Sequence, residues 1–361
     1  MLFDSGASPI VFPGLGGLEL DPPKGFSFFG LFEIRFYGVI IALGLLLAVI
    51  YGLRRAKQFG LTQDDLLDGV LWITPVAIIF ARLYYCVFKW DRFADNPMGI
   101  LTDFRDGGLA IYGGVIGALI GILVYCKVKK LKTGAVLDVV AIGFLIGQAL
   151  GRWGNFFNRE AFGSETDFFL RMGLETGLSA DGQLISYAGG ELRYYHPTFL
   201  YESLWNLAGF LILHFASKRR KYDGQIALGY VAWYGLGRAI IEGLRTDSLY
   251  IPGSEVLRVS QLVAAATCLV AVACLLILGM KKKDPAKLFV NIVKARAEAE
   301  EAEEVAEEAA EEVAEEAAEE VTEEAEEVVE EAAEEAAEEA AEEAAEETAE
   351  EAEEPKEQDN A

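Results

Sequence analysis

The long apolar runs of this 361-residue chain hold side chains that hydrocarbon tolerates poorly. Tyr37 begins one run, Arg82 lies within the next, and Tyr112 begins a third. Arg152, Asn155, Asn158 and Glu160 close a fourth, and Tyr201 and Glu202 open a fifth. Tyr234, Arg238 and Glu242 fall in a sixth, with Arg245 just beyond. A guanidinium suits phosphate through its planar fork and permanent charge. Arginines among amides and phenols in apolar surroundings therefore match a phospholipid head group. The plainer alternative pairs the arginines with Glu160, Glu202 and Glu242 as structural ion pairs. Arg238 and Glu242, four apart on one helix face, suit that reading. His196 precedes Pro197 and is a base, a head-group donor or a helix-start residue. His214, in Leu213-His214-Phe215, reads as interfacial or core. Four cysteines without CxxC spacing argue against a metal, redox or disulfide framework, and no metal-ligand cluster is visible.

These residues must be positioned by apolar helices. Seven runs, at about 34–53, 66–88, 109–126, 135–152, 198–217, 225–242 and 257–280, approach the ~20 residues that cross a bilayer core. Basic clusters follow the first, third, fifth and seventh: Arg54, Arg55 and Lys57, then Lys127 to Lys132, Lys218 to Lys221 and Lys281 to Lys287. By the positive-inside rule those loops are cytoplasmic, the N-terminus is outside and the C-terminus is inside. The polar residues above then converge on the outer leaflet. Glycines four apart, Gly113, Gly117 and Gly121 and again Gly143, Gly147 and Gly151, predict close helix packing. Residues 164–196 are polar, with turn signals at Ala180-Asp181-Gly182 and Gly189-Gly190, and predict a small hairpin-bearing head.

Charge separates the C-terminal end from the rest. Residues 297–361 hold 32 Glu, one Asp and one Lys, a net −32, so the whole-chain −26 leaves +6 for the remainder. The AEEA repeat has neither a 3.5- nor a 3.6-residue seam, so a coiled coil is not expected. It reads as a solvated, partly helical or disordered cytoplasmic tether, with an acidic dock for a basic partner as the alternative. The expected organisation is an all-α integral membrane protein of about seven transmembrane helices. Its parts are an extracytoplasmic segment at 1–32, a body at 33–285 carrying the head at 164–196, and an acidic low-complexity tail at 286–361.

The stretch Gly151-Arg152-Trp153-Gly154-Asn155-Phe156-Phe157-Asn158-Arg159-Glu160-Ala161-Phe162-Gly163 closely resembles the signature GRxGNFxNxExxG of the bacterial phosphatidylglycerol–prolipoprotein diacylglyceryl transferases. Further matches follow the family order: Ile34 to Gly38, Ala81 to Tyr85, Asn96-Pro97, Gly107-Gly108 through Gly113-Gly114, His196-Pro197-Thr198 through Tyr201-Glu202, and Tyr234 with Arg238. The resemblance covers about 30 to 285 and leaves out the tail. It implies an enzyme of the bacterial plasma (inner) membrane that moves the diacylglyceryl group of phosphatidylglycerol onto the lipobox cysteine of a preprolipoprotein signal peptide. The other product is glycerol phosphate.

The chemistry so implied needs a thiolate, from a thiol whose ordinary pKa is about 8.5. It attacks the glycerol carbon bonded to the phosphate oxygen, and the phosphate ester leaves. Arg152 and Arg238 would stabilise the charge that develops. Asn155, Asn158, Tyr37, Tyr234 and Arg82 would hold the head group. Glu160 would hold an arginine or accept a proton. The sequence departs from the family at Tyr112, where many members have His. A phenol is a weaker base than an imidazole at neutral pH, so Tyr112 is a positioning donor or a tuned base, or else His196 or Glu160 takes the proton. Expected partners are phosphatidylglycerol, lipobox signal peptides and membrane lipid. No nucleic acid, metal or cofactor is expected, and the tail's partner is unknown. An anionic-lipid transporter and a non-catalytic lipoprotein-binding scaffold are the rival readings.

Overall fold

The computed structural model describes residues 2–3, 8–28, 32–94, 98–102, 108–179, 184–246 and 258–352. Asn96-Pro97, Gly107 and the Ala180-Asp181-Gly182 turn lie outside them. The helices are α1 (Phe36–Arg55), α2 (Gln63–Phe88), the short α3 (Gly99–Thr102), α4 (Ile111–Val128), α5 (Thr133–Asn158), α6 (Thr198–Ala216), α7 (Gln225–Ile241), α8 (Val259–Met280) and α9 (Phe289–Ala352). Among the described residues, α1, α2, α4, α5, α6 and α8 are long and apolar enough to cross a membrane. The span expected at 225–242 is α7, whose 17 residues fall short of the other six. Leu71, Trp72, Val87, Leu123 and Leu269 stand exposed on these helices, as side chains facing lipid would.

The glycine ladders mark two helix pairs. Along α4, a Cβ on Gly121 would lie 3.3 Å from Ile73 of α2, and Gly113 and Gly117 press on the same helix at Phe80 and Ala81. Along α5, a Cβ on Gly143 would lie 3.3 Å from the Ala48 carbonyl of α1, and one on Gly151 3.2 Å from Ile41. Missing side chains let the backbones approach, so packing contacts replace the absent hydrophobic drive between helices in lipid.

The end of the bundle where α7 starts is fastened by a carboxylate that the sequence analysis leaves unremarked. Asp138 of α5 is fully buried and accepts the backbone N–H groups of Gly224, Ile226 and Ala227, each at 2.9 Å. It caps α7 from another helix, satisfying donors that a helix start leaves orphaned. Next to it, Asp223 accepts the Phe289 N–H at 2.9 Å and pairs with Lys132 at 2.9 Å. Phe59, Val139, Ile142, Leu145, Ile226 and Phe289 fill the core between them.

The N-terminal segment and the head share a sheet. Strand β1 (Leu2–Phe3) joins β4 (Gly25–Phe28) and β5 (Phe32–Arg35) in a three-stranded sheet. Strands β2 (Ile10–Phe12) and β3 (Leu18–Leu20) join β6 (Met172–Leu178), β7 (Leu184–Ser186) and β8 (Glu191–Tyr195) in a five-stranded one. Val11 pairs with Gly173, so residues far apart in sequence share the ladder. Ile10, Phe12, Met172, Leu174 and Tyr195 bury one face against Phe156, Phe162 and Phe199 at the ends of α5 and α6. The sequence treats 1–32 and 164–196 as separate pieces because period-2 patterns reveal strands but not long-range pairing.

Residues 295–361 form a unit of their own. Its described part, to Ala352, is helical throughout. Ala and Glu are strong helix formers, and that preference outweighs an i,i+4 repulsion of ~0.2–0.5 kcal/mol per pair.

Candidate active site

The site begins where α5 ends. Arg159 takes the left-handed conformation at φ 52°, and its N–H returns to the carbonyls of Asn155 and Phe156. Ala161 is left-handed too, at φ 56°. Two such non-glycine residues store about 1–2 kcal/mol each, and surrounding bonds hold them. The Arg159 guanidinium is buried on Asp21 at 2.5 Å and the Pro22 carbonyl at 3.0 Å. Thr198 donates to the Ala161 carbonyl at 2.5 Å, and the Gly163 N–H donates to the His196 carbonyl at 2.9 Å. This turn brings Glu160 back over the last turn of α5. There Asn155 and Asn158 donate their amides to its Oε1 at 2.9 and 3.2 Å.

Three arginines from separate stretches of chain meet one buried carboxylate. Glu202 of α6 pairs with Arg152 of α5 at 2.6 Å, with Arg238 of α7 at 3.4 Å and with Arg245 at 3.2 Å. Glu242 pairs with Arg238 at 2.5 Å and accepts from Ser260 Oγ at 2.6 Å, while Arg258 donates to its backbone carbonyl. The Arg238–Glu242 pair has the i,i+4 spacing of one helix face. Arg152 Nη1 also reaches Asn155 Oδ1 at 3.5 Å, which links the hub to the Glu160 turn. With Arg258, four guanidinium groups meet Glu202 and Glu242, so cations outnumber anions here. Glu202 is 6% exposed, but Arg152 and Arg238 are 20% and 19% exposed. The carboxylates therefore grip the arginines from behind and leave part of each cation facing outward. The ion pairs of the plainer reading are formed, and Arg152 and Arg238 each keep an exposed part beside them.

Aromatic packing keeps α6 and α7 in register. Trp205 and Trp233 stack at 4.4 Å, and each indole N–H donates to the other's backbone carbonyl, at 3.0 and 2.9 Å. Gly209 and Gly237 receive the two rings, where any Cβ would collide. Trp205 lies one turn along α6 from Glu202, so this lock fixes the distance from Glu202 to Arg238. Across α5, Trp153 Nε1 donates to Ser203 Oγ at 3.2 Å, and Ser203 donates to the Ala149 carbonyl at 2.9 Å.

The other expected residues divide into near and far. The Tyr37 ring packs on Gly154, where a Cβ would lie 2.6 Å from it, so it borders Asn155. Tyr234 sits one turn before Arg238 and stacks on Tyr230 at 5.8 Å. His196 Nδ1 lies 3.2 Å from the Tyr201 hydroxyl, at the rim of the turn. Burial holds its pKa below the usual 6.5, so its imidazole is neutral at pH 7. Arg82 is engaged elsewhere. It donates to the carbonyls of Ile100 and Gly99 at 2.9 Å and of Gly108 at 3.1 Å, and lies 5.3 Å over the Phe93 ring. Tyr112 is 56% exposed on α4, 6.4 Å from the Tyr84 ring of α2, and belongs to the α2–α4 pair with Arg82. The number of arginines that share Glu202, and the participation of Arg258 and Ser260, go beyond the sequence reading. Their signal was a charge beside each apolar run, but which arginines share a carboxylate depends on how the runs pack.

The family model described as prolipoprotein diacylglyceryl transferase matches residues 23–277, which hold the whole arginine hub. The chain belongs to the prolipoprotein diacylglyceryl transferase family. A phosphatidylglycerol–prolipoprotein diacylglyceryl transferase of Finegoldia magna is 43% identical over 248 residues, 68% of this chain and 92% of the relative. One from Enterococcus faecalis is 40% identical over 273 residues, 75% and 94%. One from Clostridium perfringens is 41% identical over 276 residues, 74% and 99%. The acidic tail lies beyond the matched residues.

Proposed function

We propose that this chain transfers the diacylglyceryl group of phosphatidylglycerol to the lipobox cysteine of preprolipoproteins and releases glycerol phosphate. The observation that carries the reading is the arginine hub: two partly exposed guanidinium groups held by a buried carboxylate in an apolar surround. The cysteine sulfur forms its bond to the glycerol carbon as the C–O bond to phosphate breaks, and the electron pair leaves on the phosphate oxygen. Arg152 and Arg238 take that charge. Preorganised donors of this kind contribute about 3–4 kcal/mol each when removed singly. Asn155 and Asn158 orient the head group while Glu160 holds their amides, and Tyr37 and Tyr234 donate to glycerol or phosphate oxygens. His196, neutral and at the rim, is the proton acceptor favoured here over Tyr112. Tyr112 and Arg82 shape the α2–α4 side.

In this reading α7 is a seventh crossing, the N-terminus and the head are outside, and the basic loops and acidic tail are cytoplasmic. The five-stranded sheet then stands above the hub, where a signal peptide's cysteine arrives. The test is a lipobox peptide and its Cys→Ser twin with phosphatidylglycerol vesicles and the purified protein. Mass gain on the Cys peptide alone is expected. Lipid movement between leaflets without modification of the peptide would make the chain a transporter instead.

A further inference from the structure

A groove of about 510 Å³ runs between α1, α5 and α6, within the ~300–1,000 Å³ range of small-ligand sites. Its walls include Leu47, Leu150, Leu207 and Phe210, and Leu47 and Leu207 are exposed at its lip, so it opens toward lipid. The polar groups at its two ends differ. At one end Trp153 donates to the Ser203 hydroxyl, which donates in turn to the Ala149 carbonyl. At the other end stand Tyr51 and Arg54. The Tyr51 hydroxyl is held by His214 Nδ1 at 3.0 Å, and neighbouring Arg55 donates to Ser217 at 2.8 Å. Arg54 alone of this group has neither an ion pair nor a side-chain hydrogen bond among the described residues, and it is exposed.

We propose that this groove is a second lipid site, which takes an anionic phospholipid with its phosphate on Arg54 and an acyl chain along the groove. The free cation fixes the direction: the head group belongs at the Arg54 end, because the polar groups at the Trp153 end are already satisfied. Arg54 lies 17 residues along α1 from Tyr37, about 25 Å at 1.5 Å per residue. A head group there is therefore not the one held by Arg152 and Arg238. In the orientation given under the proposed function, on which this point rests, it belongs to the inner leaflet, where anionic lipids and basic juxtamembrane residues attract.

The test uses the full chain in phosphatidylcholine nanodiscs doped with phosphatidylserine, with retained lipids counted by native mass spectrometry. Wild type should hold one tightly retained phosphatidylserine. Arg54→Gln should weaken its retention about tenfold or more, and Ala149→Phe, which fills the groove, should do the same. Lys57→Gln, which removes a charge at the same end but outside the groove, should leave it unchanged. Equal losses from Arg54→Gln and Lys57→Gln would reduce the effect to diffuse charge and overturn the site. Loss from Arg152→Ala with retention in Arg54→Gln would place the lipid in the arginine hub and overturn it too. The count needs no turnover, so it stands apart from the test of the transferase reading.

Discussion

Replacing Glu202 by Gln keeps the side chain's shape and removes the charge that three arginines share. The hub then gains one net positive charge. A more positive site attracts an anionic lipid at least as well, so KM for phosphatidylglycerol should not rise. What is lost is the aim of the guanidinium groups. Removing a transition-state donor costs ~10²–10³-fold, and misplacing reacting groups by 1 Å costs ~10²-fold. Glu202 touches the arginines rather than the substrate, so the expected loss is about 10²-fold in kcat, or about 2.7 kcal/mol of activation free energy. Stability falls as well. Breaking a fully buried pair costs ~3–5 kcal/mol, but Arg152 and Arg238 are a fifth exposed and water relieves part of this, so about 1–3 kcal/mol is expected. The assay is glycerol phosphate release at saturating and limiting lipid, beside a thermal melt in the same detergent. A kcat within threefold of wild type in a folded variant would refute the idea that Glu202 sets the arginines.

Tyr112→Phe should retain turnover within about tenfold, because the ring stands exposed on α4; abolished glycerol phosphate release with lipid binding intact would make the phenol the base. His196 has a folded pKa below its unfolded one, so it favours the folded state above about pH 6.5 and loses that contribution as pH falls through it. Thermal melts of His196→Asn should therefore lose less stability than wild type between about pH 7.5 and 5.5. Asp138→Ala leaves one buried and two half-buried backbone donors without their acceptor and should destabilise by about 2–4 kcal/mol, read as a lower melting temperature with KM for lipid unchanged. Deleting residues 300–361 should leave turnover unchanged, as that stretch belongs to a separate unit beyond the family match.

Much of the site was legible because hydrocarbon makes polar residues conspicuous. Arg152, Arg238 and Glu242 each interrupt an apolar run, and the GRxGNFxNxExxG stretch contains the turn that carries Glu160. The periods of glycine in α4 and α5 announced close packing, though not that the partners are α2 and α1. Glu202 was visible as a charge near a helix start, but its three arginines come from α5, from α7 and from the segment after α7, and only packing brings them together. Arg82 read like the other intramembrane arginines. Its guanidinium is instead spent on the backbone carbonyls of 99, 100 and 108, a local loop closure that residue type alone does not signal. The pairing of Val11 with Gly173 was hidden for the same reason, since alternation marks a strand without naming its neighbour.

The central claim is that the arginine hub drives departure of glycerol phosphate as the cysteine is alkylated. Phosphatidylglycerol with an isotopically labelled head group and a lipobox peptide would be incubated with the purified protein and with Arg238→Ala. The account predicts equal molar amounts of labelled glycerol phosphate and diacylglyceryl peptide from wild type, and neither from a variant that still folds. Undiminished formation of both products by Arg238→Ala, or lipid bound by wild type with the peptide thiol left free, would contradict it.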